Sequence, residues 1–236
     1  MLKRLLLLGF LGAFTITSYA QEEKILKLPS FDKPLFHYGF YLGVNNNGYK
    51  VSYKPSDITN NPEVEVSSSV GFNVGLIADL RLHNNINLRF EPGLMSNTKT
   101  LKFNHITGAD NIKTREVGAT YLHLPLILKL STNRLNNFRP YVLGGISYDY
   151  NFSSNESNSD DNFAGEFRTT TSNLMYELGI GVDFYLSYFK FSPSIRGVFA
   201  VNNELVRDGQ RPGGSQWTDP IDFLGTRGIF LHLSFE

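Results

Sequence analysis

In residues 176–201, YELGIGVDFYLSYFKFSPSIRGVFAV, apolar and polar side chains alternate through two successive segments. Tyr176, Leu178, Ile180, Val182, Phe184 and Leu186 share one face of the first, and Glu177, Gly179, Gly181, Asp183 and Tyr185 share the other. Beyond Ser187 and Tyr188 the phase flips. Phe189, Phe191, Pro193, Ile195, Gly197, Phe199 and Val201 then oppose Lys190, Ser192, Ser194 and Arg196. A period of two belongs to a β-strand, whose successive side chains point to opposite faces. A soluble sheet buries its aliphatic face and shows its charges to water. With glutamate, aspartate, lysine and arginine all on the face opposite the aliphatic residues, this hairpin suits a sheet wrapped around a polar interior in lipid.

The same code recurs in residues 36–45, 70–82, 86–94, 121–130, 138–150 and 228–236, which makes about eight segments. The intervening stretches run long, short, long, short, long, short, long. The long ones are residues 46–69, 97–118, 151–171 and 202–226, rich in Asn, Ser, Asp and Gly. Long surface loops and tight periplasmic turns have this asymmetry. The expected fold is therefore all-β, an eight-stranded antiparallel up-and-down transmembrane β-barrel over residues 36–236, with both mature termini periplasmic and outer-membrane lipid around it. Phe36, Tyr38, Phe138, Tyr141, Tyr185, Tyr188, Phe189 and Phe235 are placed for a lower aromatic girdle. Pro92, Pro125, Pro140 and Pro193 interrupt the pattern, and bulges or breaks are expected there because proline cannot donate to a ladder.

Before the first strand, Lys3 and Arg4 precede an apolar run that ends near Ser18 and Ala20. The run is shorter than the roughly 20 residues a helical span needs. The expectation is a signal peptide over residues 1–20, cleaved between Ala20 and Gln21, followed by a flexible periplasmic leader over residues 21–35. Lysine plus arginine and aspartate plus glutamate balance at 22 each, so nothing suggests a nucleic-acid partner. The chain has no cysteine, which removes disulfides and thiolate chemistry together.

Several segments carry a family resemblance: FHYGFYLGVN at 36–45, GFNVGLIADLRL at 71–82, NLRFEPGL at 87–94, YLHLPLILK at 121–129, NNFRPYVLGGISY at 136–148 and LGIGVDFYLSYFKFSPSIR at 178–196. The chain resembles the PorT (SprT) family, outer-membrane barrels of the type IX secretion system of Bacteroidetes, and the last segment is the most distinctive. The resemblance implies a non-enzymatic role in protein export, with other components of that machine as partners. It supplies no catalytic motif and implies no cofactor.

Parity places Asp79, Arg81, Arg89, Glu91, Lys129, Arg139, Glu177, Asp183, Lys190, Arg196 and Glu236 on inward faces. A barrel of about eight strands is just wide enough for side chains to fill it, so these charges are expected to cross-link into a plug, the rival being an ion path. His232 and Ser234 share a strand face at the spacing a lipid deacylase could use, but that face points inward. In residues 207–220, Arg207, Arg211 and the single tryptophan, Trp217, form a candidate partner loop, the plainer reading being a solvated surface loop. The rival functions are a small surface barrel for adhesion or membrane integrity, and a lipid-A-modifying enzyme.

Overall fold

The structure, a computed structural model, describes residues 25–54, 63–209 and 214–236. The expected signal peptide and its cleavage site at Ala20 and Gln21 lie outside the described residues. Ten strands form one antiparallel sheet: β1 (Phe36–Tyr53), β2 (Val64–Ser68), β3 (Val70–His83), β4 (Ile86–Phe90), β5 (Gly93–Phe103), β6 (Thr114–Ser131), β7 (Phe138–Asn151), β8 (Ser172–Tyr185), β9 (Lys190–Ala200) and β10 (Ile221–Phe235). A single-turn helix, α1 (Asp110–Lys113), leads into β6.

The expected eight-stranded up-and-down barrel is corrected by this topology. The sheet order is β1-β10-β9-β8-β7-β6-β4-β3-β5-β2, and it ends at β2, which among the described residues is laddered to β5 alone. It is thus not a plain eight-membered ring. Two causes account for the extra strands. Pro92, lacking an amide hydrogen, divides what the periodicity presents as one segment into β4 and β5. The polar stretch 46–69 also carries structure, the upper half of β1 and all of β2, which register against β10 and β5.

The sheet nevertheless curls far enough that β1 pairs with β10 on one edge and β3 on the other. From Phe40 to Val44 each residue has a partner on both sides, Phe40 facing Phe235 and Leu76. The amides of that stretch are spared the several kcal/mol an unpaired group costs in hydrocarbon. Of the prolines, Pro140 stays in register opposite Val182. The β6 ladders stop between Phe90–Leu126 and Gly93–His123, where Pro92 and Pro125 fall, and the β8–β9 ladder is interrupted between Gly181–Ser194 and Phe184–Phe191, where Pro193 falls.

Side-chain polarity divides the sheet into two zones. In the lower zone the outward residues are apolar and exposed, as Leu76, Leu94, Leu126, Ile180, Ile195 and Ile229 are, while the charges point inward among buried apolar residues such as Ile127 and Leu143. Above it the arrangement inverts. On β1, β5 and β6 the outward positions become Lys50, Thr98, Thr100 and Glu116, and the inward ones Tyr49, Leu101, Phe103 and Val117. The strands therefore continue out of the lipid belt into water, where an apolar interior is again the stable choice.

Candidate functional site

Inside the belt, ion pairs run in sequence along the interior. At its upper end the His123 ring stands between two carboxylates, Nδ1 at 2.6 Å from Asp149 Oδ1 and Nε2 at 3.0 Å from Glu177 Oε1. Glu177 Oε2 is 3.8 Å from Arg196 Nη1. The Arg196 guanidinium then grips Glu91 with two nitrogens, at 2.6 and 3.1 Å, the bidentate geometry that suits arginine and carboxylate. Arg89 Nε lies 3.5 Å from Glu91 and 3.0 Å from Asp79, and its Nη2 donates to Glu236 at 2.6 Å. Lys190 closes the series at 2.9 Å from Glu236. Beside it, Lys129 reaches both oxygens of Asp183 at 2.7 and 2.8 Å, and Ser192 donates to the same carboxylate.

These groups come from six strands, β3, β4 and β6 to β9, together with Glu91 and with Glu236 just past β10. Each strand turns every second side chain inward, and the curl of the sheet brings β4 and the break after it across the interior to the neighbouring strands β8, β9 and β10. Glu91, in the break after β4, and Arg196, on β9, are both fully buried. Of the charges the sequence places inward, Arg81 and Arg139 are not in this series. Arg81 binds the Asp32 carbonyl, and Arg139 binds the Thr132 and Asn84 carbonyls of the turns. Asp149 and His123 are members that charge alternation alone did not single out, although His123 shares its parity with Lys129.

The periplasmic end is covered by the leader. Residues 25–35 lie across it, contrary to the flexible tail expected for that stretch. Phe31 stacks on His37 with ring centres 4.7 Å apart, meets Tyr185 edge-on at 6.1 Å, and receives the Lys190 ammonium at 4.8 Å. Asp32 accepts from the Tyr185 hydroxyl at 2.8 Å. Arg134 donates to the carbonyls of Lys27 and Leu28. Tyr185, under the leader, and Tyr141, beneath the Lys129 ammonium, point inward at 1% and 4% exposure and drop out of the expected lower girdle.

At the other end, the upper zone closes over an apolar core of Tyr49, Leu101, Phe103, Phe167, Trp217 and Leu224 with their neighbours. Trp217 is 5% exposed, so the idea that it is an exposed partner anchor is corrected: its indole donates to Ile112 O at 3.0 Å and meets Phe163 edge-on at 5.1 Å. Arg207 is likewise engaged with the carbonyls of Thr218 and Ile221, and Arg211 lies outside the described residues. Beneath the core sits Lys99, whose ammonium donates to Thr226 Oγ1 at 2.9 Å and lies 4.1 Å from the Tyr49 ring centre. Burial pulls Lys99 down to about 8 against the attraction of Glu204 and Asp149. Glu204, buried and held by the Thr226 amide and hydroxyl at 2.7 and 2.8 Å, is raised by the same loss of water.

His232 and Ser234, the candidate deacylase pair, are both fully buried. His232 contacts Asn73 at 2.5 Å and stacks on Tyr41, so the wall of the sheet separates both residues from bilayer lipid. Among the described residues there is no group of three or more His, Asp or Glu arranged to hold a metal.

An exposed apolar belt, a charged interior and short turns gathered at the end that bears both termini define a strand-built protein of the bacterial outer membrane. The chain belongs to the outer membrane protein beta-barrel domain family, whose model matches residues 19–206. It resides in the outer membrane with its termini on the periplasmic side. Solved structures with a similar fold include OprG of Pseudomonas aeruginosa, with 10% identity over 84% of this chain and 94% of that one and a TM-score of 0.46. Others are AlkL in lipid bilayers, with 13% identity over 84% and 87% at 0.41, and Neisserial surface protein A, with 10% over 83% and 95% at 0.39. At such identities and scores no function passes from them to this chain. No curated protein sequence matches it significantly.

Proposed function

We propose that this protein is a non-enzymatic surface barrel with an occluded interior, serving membrane integrity or adhesion rather than conduction. The observation that carries the reading is the run of ion pairs from Asp149 to Lys190, with the leader below it and the apolar cap above. Small barrels have interiors that side chains fill. Here the fillers are charges of both signs at bonding distance, which resist displacement by a permeating ion. The test is conductance of the purified full-length protein in planar bilayers, together with a variant lacking residues 25–35. Both are expected to give no stable open state, because the ion pairs remain when the leader is gone. A stable pore in the intact protein would overturn the reading.

A second reading, a component of the type IX secretion machine, is favoured by the stretch that carries the PorT resemblance. Its turn presents Tyr188 at 93% exposure on the periplasmic side. A bare aromatic at a turn is a ready contact for another protein. Gene disruption separates the readings: loss of bulk secretion supports the machine component, loss of attachment or of detergent resistance supports the surface barrel, and altered lipid A with normal secretion would revive the enzyme.

A further inference from the structure

At the upper edge of the lipid belt, the outer face of β1, β8, β9 and β10 holds a hollow of about 170 Å³ flanked by Lys50 and Arg227. Tyr176 and Phe199 form its floor, stacked with ring centres 5.0 Å apart and planes 18° from parallel. Ala200 and Gly225 keep that floor low. A Cβ on Gly225 would come within 2.6 Å of the Phe223 ring, so a larger residue would raise or displace it. Lys50 stands opposite Gly225, and Arg227 is two residues further along β10. Such diagonal neighbours are roughly 7–8 Å apart, close enough for two long cationic side chains to converge on one anion. Both are exposed, and among the described residues neither has an ion-pair partner. The Arg227 guanidinium carbon lies 5.8 Å from the Phe199 ring centre, so its charge borders the floor.

Position selects the ligand. Below the hollow the outward residues are Leu178, Ile195 and Ile229, all exposed and apolar, and beside it Lys50 gives way down β1 to Asn46 and then Val44. Two unpaired cations at the edge of a hydrocarbon belt face the headgroup layer, where basic residues hold anionic lipid. Leu174 and Val201 stay exposed one step higher on β8 and past β9, so the hollow lies at the belt's upper edge, on the side away from the termini, and the layer is that of the outer leaflet. An arginine with a neighbouring lysine suits a phosphate oxygen cluster. The stacked aromatic floor suits the C–H face of a sugar ring.

We propose that this hollow binds a phosphorylated glycolipid of the outer leaflet, its phosphate between Lys50 and Arg227, its sugar over Tyr176 and Phe199, and its acyl chains along Leu178 and Ile229. The test is titration of the full-length folded protein in detergent with bis-phosphorylated lipid A, followed by native mass spectrometry. Lys50→Gln/Arg227→Gln is expected to bind about 30-fold more weakly, from the contribution of two basic residues at an anionic surface. Lys50→Arg/Arg227→Lys should keep most of the affinity. With lipid A stripped of phosphate, the wild-type protein should fall to the level of the double glutamine variant. Equal binding of the two lipid A forms would overturn the proposal, and that comparison stands even where a variant fails to fold. Competition by inorganic phosphate or phosphatidylglycerol as effective as that by lipid A would also overturn it, since either would leave the sugar floor without a role.

Discussion

The pair Arg196–Glu91 offers a quantitative test of the filled interior. Both side chains are fully buried, and the contact is bidentate at 2.6 and 3.1 Å. Replacing Arg196 with Leu strands Glu91 beside a single remaining arginine, Arg89 at 3.5 Å, and leaves Glu177 with His123 alone. Removing one partner of a buried pair typically costs about 3–5 kcal/mol, because the other charge keeps its desolvation penalty without its compensation. Glu91→Leu should cost a similar amount, as it deprives both Arg196 and Arg89. The double variant Glu91→Leu/Arg196→Leu removes the pair together and fills the space with aliphatic groups, a change that is often near neutral. Its cost should therefore not exceed that of either single, so it falls below their sum by at least about 3 kcal/mol, the coupling a double-mutant cycle measures. Urea unfolding in detergent, followed by far-UV circular dichroism, supplies the three differences. Additive costs would refute the reasoning, for they would mean that each side chain is solvated independently in a wet lumen.

Two further predictions concern the cap. Trp217→Ala should cost about 3–5 kcal/mol of cap stability, the usual range for deleting a buried aromatic. It should expose residues 202–209 and 214–220 to limited proteolysis while dichroism of the belt stays unchanged, and an unaltered cleavage pattern would count against a packed cap. Lys99 gives a pH dependence with a definite sign. Its ordinary value of 10.5 falls to about 8 in the folded protein, so between those values the unfolded chain binds more protons and stability rises with pH. The urea midpoint of the cap, reported by the fluorescence of Trp217, should increase between about pH 8 and 10.5 in the wild type. Lys99→Met should flatten that rise, and an identical slope in both proteins would remove Lys99 as its source.

Much of the belt is legible because hydrocarbon imposes a strict rule. Each outward residue of residues 176–186 must be apolar, and a period of two follows directly. Parity also says which face Asp183 or Arg196 takes, but not which partner it meets across the interior. Asp149 meets His123 directly opposite on the neighbouring strands β7 and β6, whereas the contact of Glu91 with Arg196 joins residues 105 apart in sequence on strands that are not neighbours, and it is this contact that depends on the curl of the sheet. Strand counting failed where the rule lapses. Residues 46–69 look like loop because Asn46, Gly48, Lys50 and Ser52 are polar, yet they alternate with Asn47, Tyr49, Val51 and Tyr53 within β1. The signal that could have found them is the same period with its polarity reversed. Trp217 was misplaced for the same reason, since a polar loop gives no sign that it folds over an apolar mouth.

That reversal is also what gives each part of the molecule its separate role. A sheet that stays in lipid over its whole height must keep its charges inside, and each then depends on a partner, beside it as Asp79 is to Arg89 or across the interior as Glu91 is to Arg196. By carrying β1, β5, β6 and β10 beyond the belt and inverting their faces, this chain adds a second core stabilised by water exclusion, one that holds without ion pairs. The two cores meet at Lys99 and His123, the one beneath Tyr49 and the other above Glu177. Loss of the cap should thus leave the belt folded, as the Trp217→Ala experiment requires, whereas loss of Arg196 strikes the belt and spares the cap. The outer leaflet contacts the wall where one polarity gives way to the other, and there Lys50 and Arg227 project from β1 and β10 with apolar side chains below them.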